Sequence, residues 1–400
     1  MFRILILSNG HGEDLSGTLL AQQLILLGNK VDALPMVGFG NEYKKAKINI
    51  VGKTRKFNTG GLGYNSLKGR ISDLINGQII YFFRKILLTL SIRGKYDYFI
   101  VVGDIVPIFA AWLSRKIFFT YLVAYSSHYE GKLNMPWPCK YFLKSSNSRN
   151  IYSRDFLTAL DLTNQLRKEV IFLGNPFMDK LKISKGKSKN FFEIALLPGS
   201  RVNELINNFC LMLDLLERIS STKFYKKVKF SFALINDFKS ESVEEILKSR
   251  NWQYINKAIN PNNLIYTYKN INVKFKWKSF EEILNNCDLA ISMSGTAAEQ
   301  VIGLAKPVVQ IEGFGPQFTK SFAEAQRRLL GDFVFCCKNY TSKYEQLDGT
   351  INLILKIMYL IKLDNSFLIN CKKIANNRIG SQGATLNIVS NIEKNLKNVR

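Results

Sequence analysis

The feature that most constrains the fold is the stretch of residues 288–318, in which two short apolar runs flank a segment of small residues. The first run, 289–291, has the length of a buried parallel strand, and the second, 308–311, repeats it. Between them, Thr296 suits the N-cap of a helix over 297–304. These elements form a βαβ unit, whose helix start offers free N–H groups to an anion such as a diphosphate. The same pattern also fits a βαβ unit that binds no ligand.

Length and charge set the next limits. A chain of 400 residues exceeds what one core usually serves, so we expect two domains. A hydrophobic content of 46% is enough to fill them, which argues against disorder. The net charge of +25 indicates either a solvated basic surface or an anionic partner, which could be a phosphate-bearing ligand, a membrane or nucleic acid. Charge alone does not choose among these.

Cysteine and histidine usage excludes several kinds of site. The six cysteines are scattered without a Cys-x-x-Cys pair, and there are only two histidines. This pattern predicts neither a disulfide framework nor a metal site, and it favours a reducing compartment. The apolar run at 4–7 is too short for a signal-peptide core, and no apolar run approaches the roughly 18 residues of a membrane span. We therefore expect a cytoplasmic protein that touches a membrane peripherally at most.

The N-terminal half begins as a doubly wound α/β domain, with a strand over 2–7, a polar glycine loop over 8–14 and an apolar helix over 15–27. The loop lacks the spacing of a dinucleotide site and the lysine of a P-loop. It is either a tight turn or part of an active crevice, because loops at the carboxyl ends of strands line the crevice in this architecture. A further strand over 98–102 leads to Asp104 at the same kind of position.

A long apolar and basic segment over 79–95 allows two interpretations. Its apolar residues crowd one broad face, which is typical of a buried core helix. Its positive charges favour instead a face that rests on anionic lipid. On that second interpretation, the membrane or acceptor contacts are Phe82, Phe83, Arg84 and Lys85.

The second half repeats the pattern of the first. A strand over 194–197, a Pro-Gly-Ser-Arg loop over 198–201 and a helix over 202–220 follow the charged, apolar-poor segment 182–190. We predict an N-terminal domain over 1–176, a linker over 177–190, a C-terminal domain over 191–376 and a C-terminal helical segment over 377–400.

Six short motifs occur in an order that resembles a known family. They are SNGHGED at 8–14, VVGDIVP at 101–107, LGNP at 173–176, LLPGSR at 196–201, SGTAAEQ at 294–300 and GPQFTKSFAEAQ at 315–326. Each motif is weak alone, but the ordered set spans most of the chain. The set resembles the GT-B glycosyltransferases, and within them the lipid-A-disaccharide synthases, especially the divergent related group found in cyanobacteria.

The resemblance implies an α/β fold of two Rossmann-like domains that face each other across a cleft, with the C-terminal helix packing back on the N-terminal domain. The C-terminal domain would bind a nucleotide sugar, expected to be a UDP-sugar, with Arg201 as a diphosphate contact. The alternative for Arg201 is a capping role in its own helix. The donor-binding residues implied are Gly199, Ser200, Arg201, Ser294, Gly295, Thr296, Glu299, Gln300 and Gln317. Gln300 departs from the family, which usually has Glu there, and a neutral amide is a weaker acceptor for sugar hydroxyls.

The resemblance also implies a catalytic base in the N-terminal domain. Inverting sugar transfer needs a base for the acceptor hydroxyl and stabilisation of the leaving diphosphate. Asp104 matches the strand-end aspartate of the family and is the first candidate, with a cap on the following helix as its alternative role. The competitors are His11, Glu13, Asp14 and, more remotely, His128.

The implied function is inverting, metal-independent hexosyl transfer from a nucleotide sugar to a lipid-linked or other acceptor, with no cofactor beyond the donor. Contact with the inner face of the plasma membrane would fit that acceptor. Two alternatives stay open: a GT-B fold enzyme that epimerises or hydrolyses a UDP-sugar, and a basic nucleic-acid-binding protein. Against the second, no aromatic and basic RNA motif and no helix-turn-helix pattern stands out.

Overall fold

A computed structural model describes residues 1–55, 78–181, 191–200, 202–222, 228–257, 263–313 and 319–397, without the side chains of His11, Gln78, Ile79, Glu130, Val202, Asn203 and Lys320. The chain forms two compact units. The first combines Met1–Lys180 with Gly380–Arg400, and the second is Leu181–Ile379. The end of the chain therefore belongs to the first unit.

The first unit is built on a parallel sheet, which has seven strands within the described residues. The strands are β1 (Arg3–Ser8), β2 (Lys30–Pro35), β3 (Asn49–Ile50), β4 (Tyr98–Val102), β5 (Phe118–Leu122), β6 (Ser148–Ser153) and β7 (Val170–Ile171). Their order across the sheet is β3-β2-β1-β4-β5-β6-β7. The chain moves outward from β1 to β2 and β3 and then returns to the other side of β1 for β4. The topological switch point of this sheet is therefore between β1 and β4.

Alternate residues of β1 explain how this sheet is covered on both faces. Leu5 and Leu7 pack in one buried cluster, whereas Ile4 and Ile6 pack in another. Within the described residues before Leu181, the helices of this unit are α1 (His11–Leu26), α2 (Asn41–Lys45), α3 (Gln78–Ile92), α4 (Ile105–Leu113), α5 (Ser127–Glu130), α6 (Trp137–Lys144) and α7 (Phe156–Leu166), with short 3-10 turns at Arg93–Lys95 and Pro176–Lys180. Since both faces are buried, β4 is a continuous apolar run rather than an alternating one.

The second unit is built on a mixed sheet, which has eight strands within the described residues. The strands are β8 (Phe192–Leu197), β9 (Val228–Leu234), β10 (Gln253–Lys257), β11 (Asn263–Tyr268), β12 (Ile271–Trp277), β13 (Leu289–Ser292), β14 (Val308–Gln310) and β15 (Val334–Cys336). Their order is β10-β11-β12-β9-β8-β13-β14-β15. The pairs β10–β11 and β11–β12 are antiparallel, and the other pairs are parallel. The switch point of this sheet is between β8 and β13.

Aromatic packing joins the sheet of the second unit to its first helix. The helices are α8 (Val202–Ile219), α9 (Ser240–Ser249), α10 (Phe280–Asn286), α11 (Gly295–Gly303), α12 (Lys320–Leu330), α13 (Lys343–Leu363) and α14 (Asn365–Arg378). The ring of Phe209, on α8, lies 4.9 Å from that of Phe232, on β9, and 5.9 Å from that of Phe275, on β12. This cluster fixes α8 against the strands next to the switch point.

The last helix, α15 (Ala384–Lys397), completes the first unit. Ile388, Val389 and Ile392 are buried in the same cluster as Ile4 of β1. The carboxylate of Asp179 accepts hydrogen bonds from the backbone N–H groups at the start of this helix, which fixes its position. The family resemblance implies this packing of the C-terminal helix on the N-terminal domain.

The structure differs locally from the sequence-based expectations. Helix α1 begins at His11, so residues 11–14 form its first turn rather than a loop. Helix α11 begins at Gly295 with Ser294 as its N-cap, rather than after Thr296. The antiparallel strands β10 and β11 and the helices α5, α6, α7 and α9 are not predicted from the sequence.

Candidate active site

The loops that leave β1 and β4 meet at the switch point of the first sheet. Nδ2 of Asn9, in the loop after β1, donates a hydrogen bond over 2.8 Å to Oδ2 of Asp104, in the loop after β4. Gly103 has a φ of 139°, and a Cβ there would lie 3.4 Å both from Cβ of Asn9 and from Cγ of Glu13. The switch point therefore brings Asn9, Glu13 and Asp104 together.

Asp104 is 5% exposed, and both of its carboxylate oxygens accept hydrogen bonds. Oδ1 accepts from the backbone N–H of Val106 at 3.0 Å, which makes Asp104 the N-cap of α4, and Oδ2 accepts from Asn9. Burial raises the pKa of Asp104 above its ordinary value, and these hydrogen bonds oppose the rise. The structure thus gives Asp104 the capping role, and its role as a base stays a prediction.

Asp14, in the first turn of α1, is almost fully buried. Its Oδ1 accepts a hydrogen bond from Oγ of Ser8 at 2.6 Å, and Ser8 in turn accepts from the hydroxyl of Tyr43 at 3.0 Å. Tyr43 reaches this position because Gly17 has no side chain, since a Cβ there would lie 2.0 Å from the Tyr43 hydroxyl oxygen. Burial raises the pKa of Asp14 to about 7, the bond from Ser8 lowers it, and the charge of Glu42 raises it further.

Lys85 points into the core from α3 and faces Asp14. It is 3% exposed, and its Nζ has no hydrogen-bond partner. Burial lowers the pKa of Lys85 to about 8, and the charge of Asp14 opposes that shift. The structure therefore corrects the placement of Lys85 on a lipid-facing surface: its charge acts on Asp14 inside the first unit.

Glu13 is half-buried, whereas the carboxyl groups of Asp14 and Asp104 are buried. Burial raises its pKa to about 7, a hydrogen bond from its own backbone N–H lowers it, and the charges of Asp104 and Asp14 raise it. Arg154, which directly follows β6, lowers it again. A carboxyl group with a pKa near neutrality is suited to take and return a proton at physiological pH.

Of the two histidines, His128 has a side chain that the structure describes. The side chain of His11 lies outside the part of the chain that the structure describes. Nε2 of His128 lies 3.6 Å from Oδ1 of Asp155. Asp155 is the N-cap of α7, so His128 belongs to a separate polar group after β5 and β6.

The exposed face of α3 carries apolar side chains at helical spacing. Ile80, Phe83 and Leu87 are 60%, 63% and 62% exposed, and Arg84 lies exposed beside them. Phe82 is partly buried and packs against the core of the first unit. Of the four predicted membrane or acceptor contacts, the exposed ones are therefore Phe83 and Arg84.

In the second unit, the loops after β8 and β13 touch at the switch point. Gly199 has a φ of 104°, and a Cβ there would lie 3.1 Å from the carbonyl oxygen of Met293. Ser200 is exposed beside it, and Arg201 lies outside the described residues. The Pro-Gly-Ser turn thus lies against the loop that enters α11.

The start of α11 leaves backbone donors available. Ser294 is its N-cap in backbone conformation, but its side chain makes no capping hydrogen bond. Ser292 bonds with the backbone of Ser294 instead, as donor to its carbonyl at 3.1 Å and as acceptor from its N–H at 3.3 Å. Among the other predicted donor contacts, Thr296 is exposed, Glu299 is half-buried, Gln300 is 7% exposed, and Gln317 lies outside the described residues.

Two buried glutamines near this helix start are not found by the sequence argument. Gln310 ends β14 and Gln326 lies on α12, and the side-chain oxygen of each has no hydrogen-bond partner. A Cβ at Gly295 would lie 3.6 Å from Nε2 of Gln326. The sequence could have indicated Gln310, because it stands at the carboxyl end of a predicted strand beside the switch point.

Three solved structures resemble this chain over almost its whole length. CalG4, the calicheamicin glycosyltransferase, has a TM-score of 0.60 at 13% identity, and the match covers 100% of this chain and 99% of CalG4. MurG from Acinetobacter baumannii has a TM-score of 0.59 at 13% identity, and the match covers 98% of this chain and 99% of MurG. UDP-GlcNAc 2-epimerase from Neisseria meningitidis, bound to UDP-GlcNAc, has a TM-score of 0.54 at 16% identity, and the match covers 98% of this chain and 100% of the epimerase. No protein-family model and no curated protein sequence matches the chain.

The chain has the GT-B fold. The predicted α/β class with two Rossmann-like domains is confirmed. In this GT-B chain the first switch point carries carboxyl groups and the second carries glycine, serine and free backbone donors. Across the described residues, no three His, Cys, Asp or Glu side chains converge as a possible metal site, and no helix is long and apolar enough to span a membrane.

Proposed function

We propose that this protein is a glycosyltransferase that moves a hexosyl group from a nucleotide sugar, in the first place a UDP-sugar, to an acceptor hydroxyl. The observation that carries the proposal is the buried carboxyl cluster of Glu13, Asp14 and Asp104 at the switch point of the first sheet. Burial raises the pKa of Glu13 and of Asp14 to about 7, which suits proton exchange with a substrate at this position.

The second unit would hold the donor. Inverting transfer forms a bond between the acceptor oxygen and C1 of the sugar and breaks the bond from C1 to the diphosphate, which leaves with the electron pair. The free N–H groups at the start of α11 and the backbone of Gly199 are suited to that diphosphate. Arg201, Ser200 and Thr296 keep the donor role that the family resemblance gives them. This mechanism needs no metal, because backbone donors and a guanidinium neutralise the leaving group.

The first unit would hold the base. Both carboxylate oxygens of Asp104 accept hydrogen bonds that fix the loops after β1 and β4, which is the work of a positioning residue. Glu13 is half-buried beside it, with a pKa near neutrality. We therefore assign the proton of the acceptor hydroxyl to Glu13 and keep Asp104 as the next candidate.

A thermal-shift panel with UDP-, GDP-, ADP- and TDP-sugars tests the donor class without knowledge of the acceptor. We expect the largest shift with UDP-sugars, since binding to the folded state alone raises the melting temperature. Thr296→Pro, which alters the first turn of α11, serves as the binding-deficient control. Equal melting temperatures with and without every nucleotide sugar would contradict the proposal.

A lipid-linked acceptor, as in the lipid-A-disaccharide synthases, is the acceptor class that the surface of α3 favours. Ile80, Phe83 and Leu87 form an exposed apolar stripe beside Arg84, which suits peripheral contact with an anionic membrane at its cytoplasmic face. We expect Phe83→Asp to lower flotation with phosphatidylglycerol vesicles. Phe39→Asp, which changes another exposed aromatic residue of the same unit, is the matched control. Equal flotation of both variants and the wild type would remove α3 from membrane binding.

Epimerisation of a UDP-sugar is the second candidate, because one of the similar structures is a UDP-GlcNAc 2-epimerase bound to UDP-GlcNAc. Several carboxyl groups with raised pKa values could remove and return a proton on the sugar itself. Incubation with UDP-GlcNAc alone separates the two functions. An altered sugar nucleotide without any acceptor would favour the epimerase, whereas an unchanged donor would favour transfer.

A further inference from the structure

A cavity of about 700 Å³ opens where β6 and β7 begin, at the amino-terminal edge of the first sheet. The turns from α6 to β6 and from α7 to β7 line it. Its volume is in the range of small-ligand sites, about 300–1,000 Å³. The carboxyl cluster lies at the opposite edge, because the six residues of β6 span about 17 Å between the two edges. The proposed transfer reaction therefore does not use this cavity.

Four cations surround the cavity: Lys144, Arg149, Arg167 and Lys168. Glu169 also lines it. Within the described part of the chain, none of the four cations forms an ion pair with a carboxylate. A solvated basic surface usually spaces its charges apart or interleaves them with acidic groups. Here four cations and one carboxylate line the same cavity, which leaves an excess of positive charge.

The positions of two polar groups at the wall are fixed. Nζ of Lys168 donates hydrogen bonds to the backbone carbonyls of Leu143, at 3.2 Å, and Ser148. Burial and the neighbouring charge of Arg149 lower the pKa of Lys168 to about 8. The Oγ of Ser148 is buried and has no hydrogen-bond partner. An anion in the cavity would relieve the repulsion between the cations.

We propose that this cavity, which we call the basic cavity and define by Lys144, Ser148, Arg149, Arg167 and Lys168, binds a phosphate-bearing anion. Two guanidinium groups suit the geometry of phosphate oxygens, and the ammonium groups add charge without directional demands. The ligand class is either a free phosphate or diphosphate compound or the headgroup of an anionic lipid. Both present the same phosphate oxygens to the same five side chains.

The test compares two double variants that change the net charge by the same amount. Arg149→Glu/Arg167→Glu reverses charge at the basic cavity, and Lys372→Glu/Lys373→Glu reverses charge at exposed positions on α14 of the second unit. Binding of pyrophosphate is measured by titration calorimetry in the Thr296→Pro background, which weakens the proposed donor site and leaves the basic cavity unchanged. Flotation with phosphatidylglycerol vesicles is measured in the Phe83→Asp background, which removes the contribution of α3.

We expect the cavity variant to weaken one of these two binding events about ten-fold or more, equivalent to about 1.4 kcal/mol, and the control to leave it unchanged. Loss in the pyrophosphate arm identifies a free phosphate compound, and loss in the vesicle arm identifies a lipid headgroup. Wild-type protein that binds neither probe, or equal losses in both double variants, would overturn the proposal. So would a random DNA duplex that binds more tightly than both probes and is lost in the same variant. If the glutamate variant does not fold, Arg149→Gln/Arg167→Gln is used with Lys372→Gln/Lys373→Gln as its control.

Discussion

The two units carry different chemistry at the same topological feature, a switch point between two parallel strands. Between β1 and β4 the first unit gathers Glu13, Asp14 and Asp104 around short loops. Between β8 and β13 the second unit has Gly199 against the backbone of Met293, and an uncapped helix start. One edge can therefore exchange protons, whereas the other offers backbone donors to an anion. The difference shows that the fold supplies the position of a site and the loop residues supply its chemistry.

The strongest test of this contrast removes the titratable carboxyl group of Glu13 from the switch point of the first sheet. We expect Glu13→Gln to lower turnover of the donor identified in the thermal-shift panel by about 10²- to 10⁴-fold, the usual contribution of a positioned base. Donor binding, which belongs to the second edge, should be unchanged. Stopped assays of product formation and calorimetry with UDP measure the two effects separately.

Asp104→Asn is the companion variant. It should keep the fold, because the new amide can still accept from Val106 and, once the Asn9 amide turns by 180°, can donate to the side-chain oxygen of Asn9, which has no hydrogen-bond partner in the wild type. The sequence-based hypothesis expects it to abolish transfer while donor binding survives. Wild-type turnover in Glu13→Gln, together with complete loss in Asp104→Asn, would return the base to Asp104.

The pH dependence of stability sharpens the same contrast. The folded pKa of Asp14 is about 7, above its ordinary value of 3.8, so ionisation of Asp14 opposes folding as the pH rises between those values. The positive charge of Lys85 lowers the pKa of Asp14 and so limits this loss. Burial also lowers the pKa of Lys85, so removing its charge relieves a desolvation cost at pH 6 and at pH 8 alike. We therefore expect Lys85→Met to raise the pKa of Asp14 further and to be less stable relative to the wild type at pH 8 than at pH 6, by about 1 kcal/mol for a shift of roughly one pKa unit.

Urea unfolding at both pH values measures this difference, and Arg84→Met is the control, since Arg84 is the exposed neighbour on α3. If the free energies of unfolding of the two variants change in parallel with pH, the charge of Lys85 does not act on Asp14.

At the second edge the expected effect is smaller, because it acts through backbone geometry. Gly199→Ala must hold a φ of 104° and place a Cβ 3.1 Å from the carbonyl of Met293. The strain of a left-handed residue is about 1–2 kcal/mol, so we expect UDP to bind about ten-fold more weakly. Gly94→Ala, where a Cβ meets nothing within 4 Å, is the control. Unchanged UDP affinity in Gly199→Ala would mean that this loop does not hold the diphosphate.

Strand and loop positions at both edges can be predicted from the sequence, because buried parallel strands are short apolar runs with glycine or small polar residues after them. Asp104 and Gly199 are found in this way. The inward direction of Lys85 cannot be predicted, since the apolar residues over 79–95 crowd so broad a face that the pattern does not show which part of it meets the sheet. The bond from Tyr43 to Ser8 depends on a close approach of two helices at Gly17, which no local pattern encodes.

Gln300, where the family usually has Glu, allows a test with a small expected effect at the switch point of the second sheet. If its side chain accepts from a ribose hydroxyl, Gln300→Glu supplies the stronger acceptor and should tighten UDP binding about three-fold. The gain should vanish with 2′-deoxy-UDP and 3′-deoxy-UDP, which lack the hydroxyl groups concerned. If instead the buried amide only packs within α11, a carboxylate there is penalised by desolvation, so the melting temperature should fall while the affinities for all three nucleotides stay equal. Glu299→Gln, which changes charge on the half-buried neighbour, separates an effect of net charge from an effect of the ribose contact.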